Sequence, residues 1–295
     1  MEVVLIVNPF ASAVTEDRVR AVERELGRAA TVRTLLTERP GHGAVLAAAA
    51  VGDALVVYSG DGGFNEALNG VPAGLPLGFL PGGRTSVMPR ALGLPRDPVA
   101  AARALAEALE QRRTRTISLG RVNGRRFGFS AGIGLDGELV RRVDALGRRE
   151  DGRRPGDAAY IAAAVRLLAA KHGRFEPALE VRGLGRAAFL LVANTDPYTY
   201  AGPLPIHAAP EAQFELGLDL VAPAKVTTRS VPRYLRYLFR GRGQIEAKDV
   251  LYGHDLDRIE VTCDRPLPLQ ADGEDLGDVT EAVFEAERSA LTVLI

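Results

Sequence analysis

A glycine-rich segment directly after an apolar run is the strongest constraint on the fold of this chain. Residues 54–58 predict a buried strand, and residues 59–66 then read Ser-Gly-Asp-Gly-Gly-Phe-Asn-Glu before a helical pattern continues through Leu68. Glycines let the backbone approach an anion closely, while free amides and the helix dipole attract phosphate. The pattern therefore predicts a strand, loop and helix that hold a polyphosphate.

Asp61 lies within this loop, where a carboxylate and a phosphate would repel each other. We therefore expect it to hold Mg²⁺ or to orient an attacking hydroxyl. The alternative is a tight turn in which Asp61 only caps the helix.

A second glycine loop reduces the weight of that alternative. Residues 80–86 read Leu-Pro-Gly-Gly-Arg-Thr-Ser, again after a predicted strand and before a helical segment. Asn8 and Pro9 end the first predicted strand, residues 3–7. Because ligands of open α/β sheets bind at the carboxyl ends of the strands, we expect these three segments to meet at one sheet edge.

The order of elements predicts an α/β plus β fold with two domains. In the first third, apolar strands alternate with helices, which is typical of a parallel sheet covered on both faces. We expect residues 1–114 to form this nucleotide-binding domain, closed by a helix that Asp97 and Pro98 start. Residues 115–289 predict a second, mainly antiparallel β domain, and residues 290–295 form a strand that could return to either sheet.

Composition limits the classes of partner and compartment. The 37 basic and 37 acidic side chains cancel, so no sequence-wide positive field gathers nucleic acid or anionic lipid. The lone cysteine, Cys263, fits a reducing compartment, and cytoplasm is the expected location. No apolar run reaches the roughly 18–20 residues that a membrane helix needs, and residues 3–7 are too short for a signal segment.

Two further motifs in the second domain lack the context that their usual functions require. Residues 128–132 match the hydrolase pattern GxSxG, with Asp219 and His254 following in triad order, but no helix starts directly after the serine. Residues 132–137 match GxGxxG without a βαβ unit and predict a close-packing turn. The four histidines lack zinc-ligand spacing.

Two arginine-rich segments are candidates for surface roles. Residues 233–240 combine basic, aromatic and aliphatic residues at helical spacing, which suits docking on an anionic bilayer. The alternative is a helix with a core face and a solvated basic face. Residues 141–154 carry arginines interleaved with acids and predict a solvated connection.

Taken together, the motifs resemble the diacylglycerol kinase family, which also includes sphingosine and ceramide kinases. The resemblance runs in order from Asn8 to Gly277 through the two glycine loops and three segments of the second domain, residues 129–140, 191–210 and 269–277. A shorter GGDG form of the first loop also occurs in NAD kinases.

The resemblance implies an ATP-dependent lipid kinase that phosphorylates a lipid hydroxyl, with diacylglycerol, giving phosphatidic acid, as the leading acceptor. It implies Mg²⁺ at Asp61, a structural Mg²⁺ at Asp219, and Asp272 or Glu274 as the base, with Asp61 also taking part in catalysis. The implied nucleotide contacts are Asn8, Thr37, Ser59, Gly60, Asp61, Gly62, Gly63, Asn65, Glu66, Gly82, Gly83 and Thr85.

The implied partner is a lipid substrate at a membrane surface, met by a cytoplasmic protein in transient peripheral contact with the inner membrane face. No nucleic acid partner is expected, and a homodimer stays open. Gly63 stands where the family usually has threonine, and Arg84 and Ser86 replace a hydroxyl residue and an asparagine. These departures keep two alternatives open, a catalytically weak nucleotide- or lipid-binding protein of the same fold and an NAD kinase.

Overall fold

The computed structural model describes residues 1–147 and 157–295 and divides the chain into two units. Unit 1 comprises Met1–Ser118 and Ser289–Ile295, and unit 2 comprises Leu119–Arg288. Of the arginine-rich segment predicted as a solvated connection, the first residues belong to a helix of unit 2, and residues 148–154 lie outside the described residues.

Unit 1 is a parallel sheet with helices between its strands. Its strands run side by side in the order β4, β3, β1 and β2, all parallel. The elements are β1 (Glu2–Val7), α1 (Glu16–Leu26), β2 (Thr31–Leu36), α2 (His42–Ala48), β3 (Ala54–Ser59), α3 (Asp61–Leu68), β4 (Leu77–Pro81), α4 (Val87–Ala91), α5 (Pro98–Gln111) and the first residues of β5 (Thr114–Val122).

Burial on both faces explains why β1, β3 and β4 could be predicted from the sequence. Every residue of β3 and β4 is buried, as is β1 after its first residue, because helices cover both faces of the sheet. The helix α5 begins as predicted, since the Asp97 side chain accepts the N–H of Ala100 at 2.9 Å and Pro98 takes the first position. Leu105 and Leu109 bury its inner face.

Unit 2 is mainly antiparallel, as the sequence predicted. The strands β14, β13, β10, β7, β15 and β16 lie side by side in that order. The elements are β6 (Arg125–Phe127), β7 (Ser130–Ile133), α6 (Leu135–Asp144), α7 (Asp157–Ala170), β8 (Leu179–Val181), β9 (Gly185–Ala187), β10 (Leu190–Ala193), β11 (Thr199–Ala201), β12 (Leu204–Ile206), β13 (Leu218–Pro223), α8 (Val231–Arg240), β14 (Val250–Leu256), β15 (Arg258–Ala271) and β16 (Glu274–Leu294).

Two strands, β5 and β16, carry the chain from one unit to the other. The end of β16 belongs to unit 1, where Val293 pairs in parallel with Leu77 of β4. This pairing decides between the two sheets that the sequence left open for residues 290–295. Within the described part of the chain, the helices are too short or too polar to cross a bilayer.

Candidate functional site

The two glycine loops of unit 1 contact each other through their backbones at the carboxyl edge of the sheet. The N–H of Gly82 donates to the carbonyl of Ser59 at 2.7 Å, and the carbonyl of Gly82 accepts from Ala13 at 2.9 Å. A Cβ added at Gly83 would lie 2.9 Å from the Cα of Gly60. Side chains at positions 82 and 83 would therefore push the loops apart, and the predicted proximity of the loops is confirmed.

Ser59, the last residue of β3, places a buried hydroxyl in the first loop. The residue is 1% exposed, and its Oγ has no hydrogen-bond partner among the described residues. A Cβ added at Gly63 would lie 2.1 Å from this oxygen and 3.9 Å from the Asn8 amide nitrogen. The serine hydroxyl thus takes the space that a side chain at position 63 would need, facing the first turn of α3.

This arrangement fits a bound phosphate. A buried hydroxyl without a partner costs about 1–3 kcal/mol, and a phosphate oxygen at the α3 N-terminus would satisfy it. Gly62 and Gly63 are partly exposed in the first turn of the helix, so an anion can reach their backbone. The donor set suits the phosphates of a nucleotide.

Asp61 ties the second loop to the first. It is the first residue of α3, and its Oδ1 accepts the N–H of Val87, the first residue of α4, at 2.7 Å. Its carboxylate therefore caps α4 from the start of the neighbouring helix α3. Residues 1–147 and 157–295 contain no group of three or more acidic, His or Cys side chains able to hold a metal. A Mg²⁺ carried on phosphates needs only one or two carboxylates, and Asp61 fits that mode.

Glu66 anchors the neighbouring helix. Its two carboxylate oxygens accept the N–H groups of Gly41 at 2.8 Å and Gly43 at 2.9 Å, at the start of α2. Thr37 is buried at the carboxyl end of β2, and its N–H donates to Val7. Asn65 is fully buried within α3. The structure thus places Glu66, Thr37 and Asn65 in the framework around the loops.

The second loop holds the two other departures from the family pattern. Ser86 adopts a left-handed backbone, with φ of 47°, and its Oγ accepts the N–H of Gly83 at 3.2 Å. Such a conformation costs a non-glycine residue about 1–3 kcal/mol unless its surroundings hold it. Arg84 is exposed and Thr85 half-buried beside it. The Ser86 hydroxyl closes the turn that shapes this loop.

In unit 2, Asp272 is a buried acceptor for three backbone amides. The residue is 3% exposed. Its carboxylate accepts hydrogen bonds from the backbone N–H groups of Gly128 at 2.7 Å, Phe129 at 3.0 Å and Ser130 at 3.2 Å. Asp272 has φ of 49°, in the turn between β15 and β16. The donors hold the carboxylate in one orientation.

Glu274, the other predicted base, follows two residues later in the chain. Its Oε2 forms an ion pair with Arg125 at 2.7 Å, and the side chain is partly exposed. Asp272 and Glu274 therefore differ in environment: one is enclosed by backbone donors and the other is balanced by a guanidinium.

A polar network beside Asp272 was not predicted from sequence. The Tyr198 hydroxyl lies 2.6 Å from Asp136, whose other hydrogen-bond donor is the Gln270 amide, and the Gln270 carbonyl accepts the N–H of Gly273 at 2.9 Å. Burial raises the pKa of Asp136. Buried carboxylic acids with a raised pKa mark candidate functional sites. Asp136 lies within residues 129–140, one of the segments that resemble the family, but the sequence predicted no role for it.

Asp219, predicted as a structural Mg²⁺ ligand, is fully buried on β13. Its oxygens lie 2.9 and 3.0 Å from Nδ1 of His254 and accept the N–H of Asp255 at 3.0 Å. No metal cluster surrounds it within the described residues. In the structure its carboxylate fixes β14, and the metal role stays a prediction.

The pair of Asp219 and His254 predicts a pH dependence of stability. The hydrogen bond to Asp219 raises the pKa of His254 above its ordinary 6.5. A histidine whose pKa is higher in the folded than in the unfolded state stabilises the fold below about pH 6.5. This stabilisation is lost as the pH rises through the pKa of the folded state. Because the imidazole is 38% exposed, we expect a fall of only about 1–2 °C in Tm.

Thermal melting between pH 6 and 9 checks this expectation. His254→Gln removes the titrating group, so the difference in Tm between wild type and variant should shrink as the pH rises. A difference that stays constant with pH contradicts the assigned charge pair.

The two rejected motifs have structural roles. Ser130 is the first residue of β7 and donates its N–H to Asp272. A strand and not a helix follows it, so it is not on a nucleophile turn. A Cβ at Gly137 would lie 2.4 Å from the carbonyl of Pro268. This glycine therefore lets α6 pack closely on β15, as the sequence predicted.

Comparison with known proteins identifies both parts of the chain. Residues 2–122 match the family model of the diacylglycerol kinase catalytic domain, and residues 130–295, more than half of the chain, match that of the YegS C-terminal NAD kinase beta sandwich-like domain. A parallel-sheet domain followed by a β-sandwich-like domain defines the class of the lipid and NAD kinase fold. The chain belongs to the family of the C-terminal model, which matches more than half of its length, and residues 2–122 form a diacylglycerol kinase catalytic domain. Together the two matches support a kinase of the diacylglycerol kinase-like family.

Three solved structures from Bacillus anthracis str. Sterne share this fold. A diacylglycerol kinase has a TM-score of 0.72 at 19% identity, with 99% of this chain and 96% of the other chain covered. Two further structures, provisionally assigned as diacylglycerol kinases, have TM-scores of 0.75 and 0.76 at 21% and 20% identity, covering 99% of this chain and 97% and 96% of theirs. The likeness extends over both units.

Proposed function

We propose that this protein transfers the γ-phosphoryl group of ATP to the hydroxyl of diacylglycerol and forms phosphatidic acid. The observation that carries the proposal is the pair of glycine loops in backbone contact. Beside them the Ser59 hydroxyl, which has no partner among the described residues, faces the α3 N-terminus. Phosphoryl transfer needs mainly alignment and charge neutralisation, and this loop geometry supplies both.

Each part of the loop site has a distinct task in the proposal. The amides of the first turn of α3 and the Ser59 hydroxyl bind phosphate oxygens, while the cap from Asp61 to Val87 keeps the second loop against the first. Bound Mg²⁺ would neutralise phosphate charge, with Asp61 as its protein ligand. The exposed Arg84 adds positive charge to the second loop.

The acceptor step needs a base. As the acceptor oxygen bonds to the γ-phosphorus, the bond to the leaving ADP oxygen breaks, and the hydroxyl proton passes to a carboxylate. Asp272 and Glu274 are the two candidates, and the three amides that hold Asp272 give it the more fixed orientation.

Phosphate transfer from labelled ATP to a panel of lipids in mixed micelles with Mg²⁺ tests the function. The panel contains diacylglycerol, sphingosine and ceramide, with NAD in a separate reaction. Transfer to diacylglycerol supports the proposal, and transfer to another lipid corrects the acceptor. ATP binding without any transfer supports the catalytically weak alternative, and phosphorylation of NAD supports the NAD kinase alternative.

The contact between Ser59 and position 63 gives a compensating pair of substitutions. We expect Gly63→Ala to lower the free energy of unfolding by about 1–3 kcal/mol, because its Cβ would lie 2.1 Å from the Ser59 oxygen. Ser59→Gly in the same chain should restore stability but not ATP affinity, since the loop hydroxyl is then missing.

A second double variant, Ser59→Gly with Gly63→Thr, tests whether a hydroxyl from position 63 can replace the hydroxyl of Ser59. The threonine side chain would occupy the space that the serine leaves, so both the stability and the ATP affinity should return to those of wild type. Chemical denaturation and isothermal titration calorimetry measure the two quantities. If Gly63→Ala alone is as stable as wild type, the two positions do not exclude each other.

A further inference from the structure

The helix α8 presents an outer face on which apolar and basic side chains alternate. Leu235 and Phe239 are 43% and 50% exposed, and Arg236 and Arg240 are exposed beside them. Residues four apart lie on one side of a helix, so the two apolar side chains form one row and the two arginines a second. None of the residues of α8 is buried. We call these four residues the α8 outer face.

The opposite side of α8 accounts for its attachment to unit 2. Tyr234 and Leu238 pack against the hydrophobic cluster around Val221. The carbonyl of Leu238 accepts the N–H of His207 at 2.7 Å, and the Tyr234 hydroxyl lies 2.9 Å from Asp249. Core packing therefore does not explain why Leu235 and Phe239 are exposed. A solvated basic face would not contain these two apolar side chains either.

The charge around the α8 outer face is strongly positive in a chain whose total charge is zero. Residues 229–248 contain six basic residues and one acidic residue, Glu246. Arg233 pairs with Asp249. The other arginines around this face, Arg229, Arg236, Arg240 and Arg242, form no ion pair with a described residue.

An open depression adjoins α8. Its volume is about 730 Å³, and Arg236, Arg240 and Arg242 line it together with Glu246. Three guanidinium groups around one surface depression suit a phosphodiester, because guanidinium forks bind phosphate oxygens in pairs.

We propose that the α8 outer face docks this protein on anionic lipid bilayers. Leu235 and Phe239 enter the boundary between headgroups and acyl chains, and the neighbouring arginines bind lipid phosphates. The apolar row favours a bilayer over a nucleic acid, since a polyphosphate strand offers no acyl region for these side chains. The proposal goes beyond the kinase reaction, because it identifies the surface that meets the membrane.

Vesicle sedimentation without nucleotide tests the docking. The protein should bind vesicles of phosphatidylglycerol and phosphatidylcholine but not vesicles of phosphatidylcholine alone, and high salt should weaken the binding. Arg236→Gln with Arg240→Gln should lower the partition coefficient about 25-fold, about 5-fold for each cation. Leu235→Ser with Phe239→Ser should lower it about 10-fold, because less apolar surface enters the bilayer.

Matched substitutions elsewhere separate docking from general charge and hydrophobicity. Arg112→Gln with Arg113→Gln removes two other exposed arginines, and Val45→Ser with Val51→Ser removes two other exposed apolar side chains. Both control variants should bind vesicles as wild type does. Circular dichroism confirms that all variants remain folded.

Three results would overturn the proposal: equal binding to neutral vesicles, unchanged binding by both α8 variants, or preferential binding of an oligonucleotide over anionic vesicles. Turnover on a soluble short-chain acceptor keeps the kinase proposal separate. The α8 variants should retain that turnover while losing turnover on vesicles. Wild-type protein that binds anionic vesicles but phosphorylates no lipid would refute the kinase reaction and leave the docking surface standing.

Discussion

Asp61→Asn should reduce phosphate transfer by at least about 100- to 1,000-fold while leaving the fold intact. The asparagine oxygen can still accept the N–H of Val87, which Asp61 accepts at 2.7 Å, so the two glycine loops stay tied. What the substitution removes is the negative charge that would hold Mg²⁺ on the nucleotide. Turnover with labelled ATP and a lipid acceptor measures the loss.

Asp61→Ala is the matched comparison, because it removes both the charge and the hydrogen bond. We expect it to be as inactive as Asp61→Asn and, in addition, to lower the free energy of unfolding by about 1–2 kcal/mol through the lost cap on α4. If Asp61→Asn keeps wild-type turnover and only Asp61→Ala is inactive, Asp61 acts by tying the loops and not by binding metal.

Asp272→Asn should abolish turnover and also destabilise unit 2. The carboxylate accepts three N–H groups, and an amide can offer only one oxygen, so its NH₂ group would face at least one backbone donor. A buried donor left without an acceptor costs about 1–3 kcal/mol. Chemical denaturation measures the stability, and transfer is assayed under conditions in which the variant is folded.

Glu274→Gln distinguishes the two candidate bases. It keeps the shape of the side chain and removes the charge that pairs with Arg125 at 2.7 Å. If Asp272 is the base, Glu274→Gln retains most of the turnover and Asp272→Asn retains none. The reverse result, with a folded and active Asp272→Asn, assigns the base to Glu274 and a structural role to Asp272.

Much of unit 1 could be predicted from the sequence because its signals are local. The apolar runs of β1, β3 and β4 are buried throughout the sheet, and Asp97 and Pro98 start α5 through contacts within three residues. The two glycine loops follow strands whose carboxyl ends must share one edge in a parallel sheet. Their meeting is a consequence of topology.

The contacts of individual side chains at the site could not be predicted, because they join residues that are far apart in the sequence. Glu66 caps α2 from α3, across 25 residues of sequence, and Asp272 binds amides more than 140 residues earlier. The clash between Ser59 and position 63 arises from the turn into α3. Sequence could identify the glycine at position 63 as unusual for the family, but only the structure explains why glycine fits there.

The sequence placed the boundaries between the two domains after residue 114 and after residue 289. The structure divides the chain after Ser118 and before Ser289, inside β5 and β16 and not in a linker. The network of Asp136, Tyr198 and Gln270 was missed because its members come from three separate segments that only strand pairing brings together.

The return of β16 to β4 has a consequence for the order of events during translation. Residues 289–295 belong to unit 1, but the ribosome makes them after the whole of unit 2. Until they emerge, the edge of β4 that pairs with Val293 has no partner, and unpaired strand edges invite association between chains. Unit 1, whose first residues are synthesised before unit 2, is thus completed only after unit 2 has been made, and until then the edge of β4 stays open to pairing with other strands.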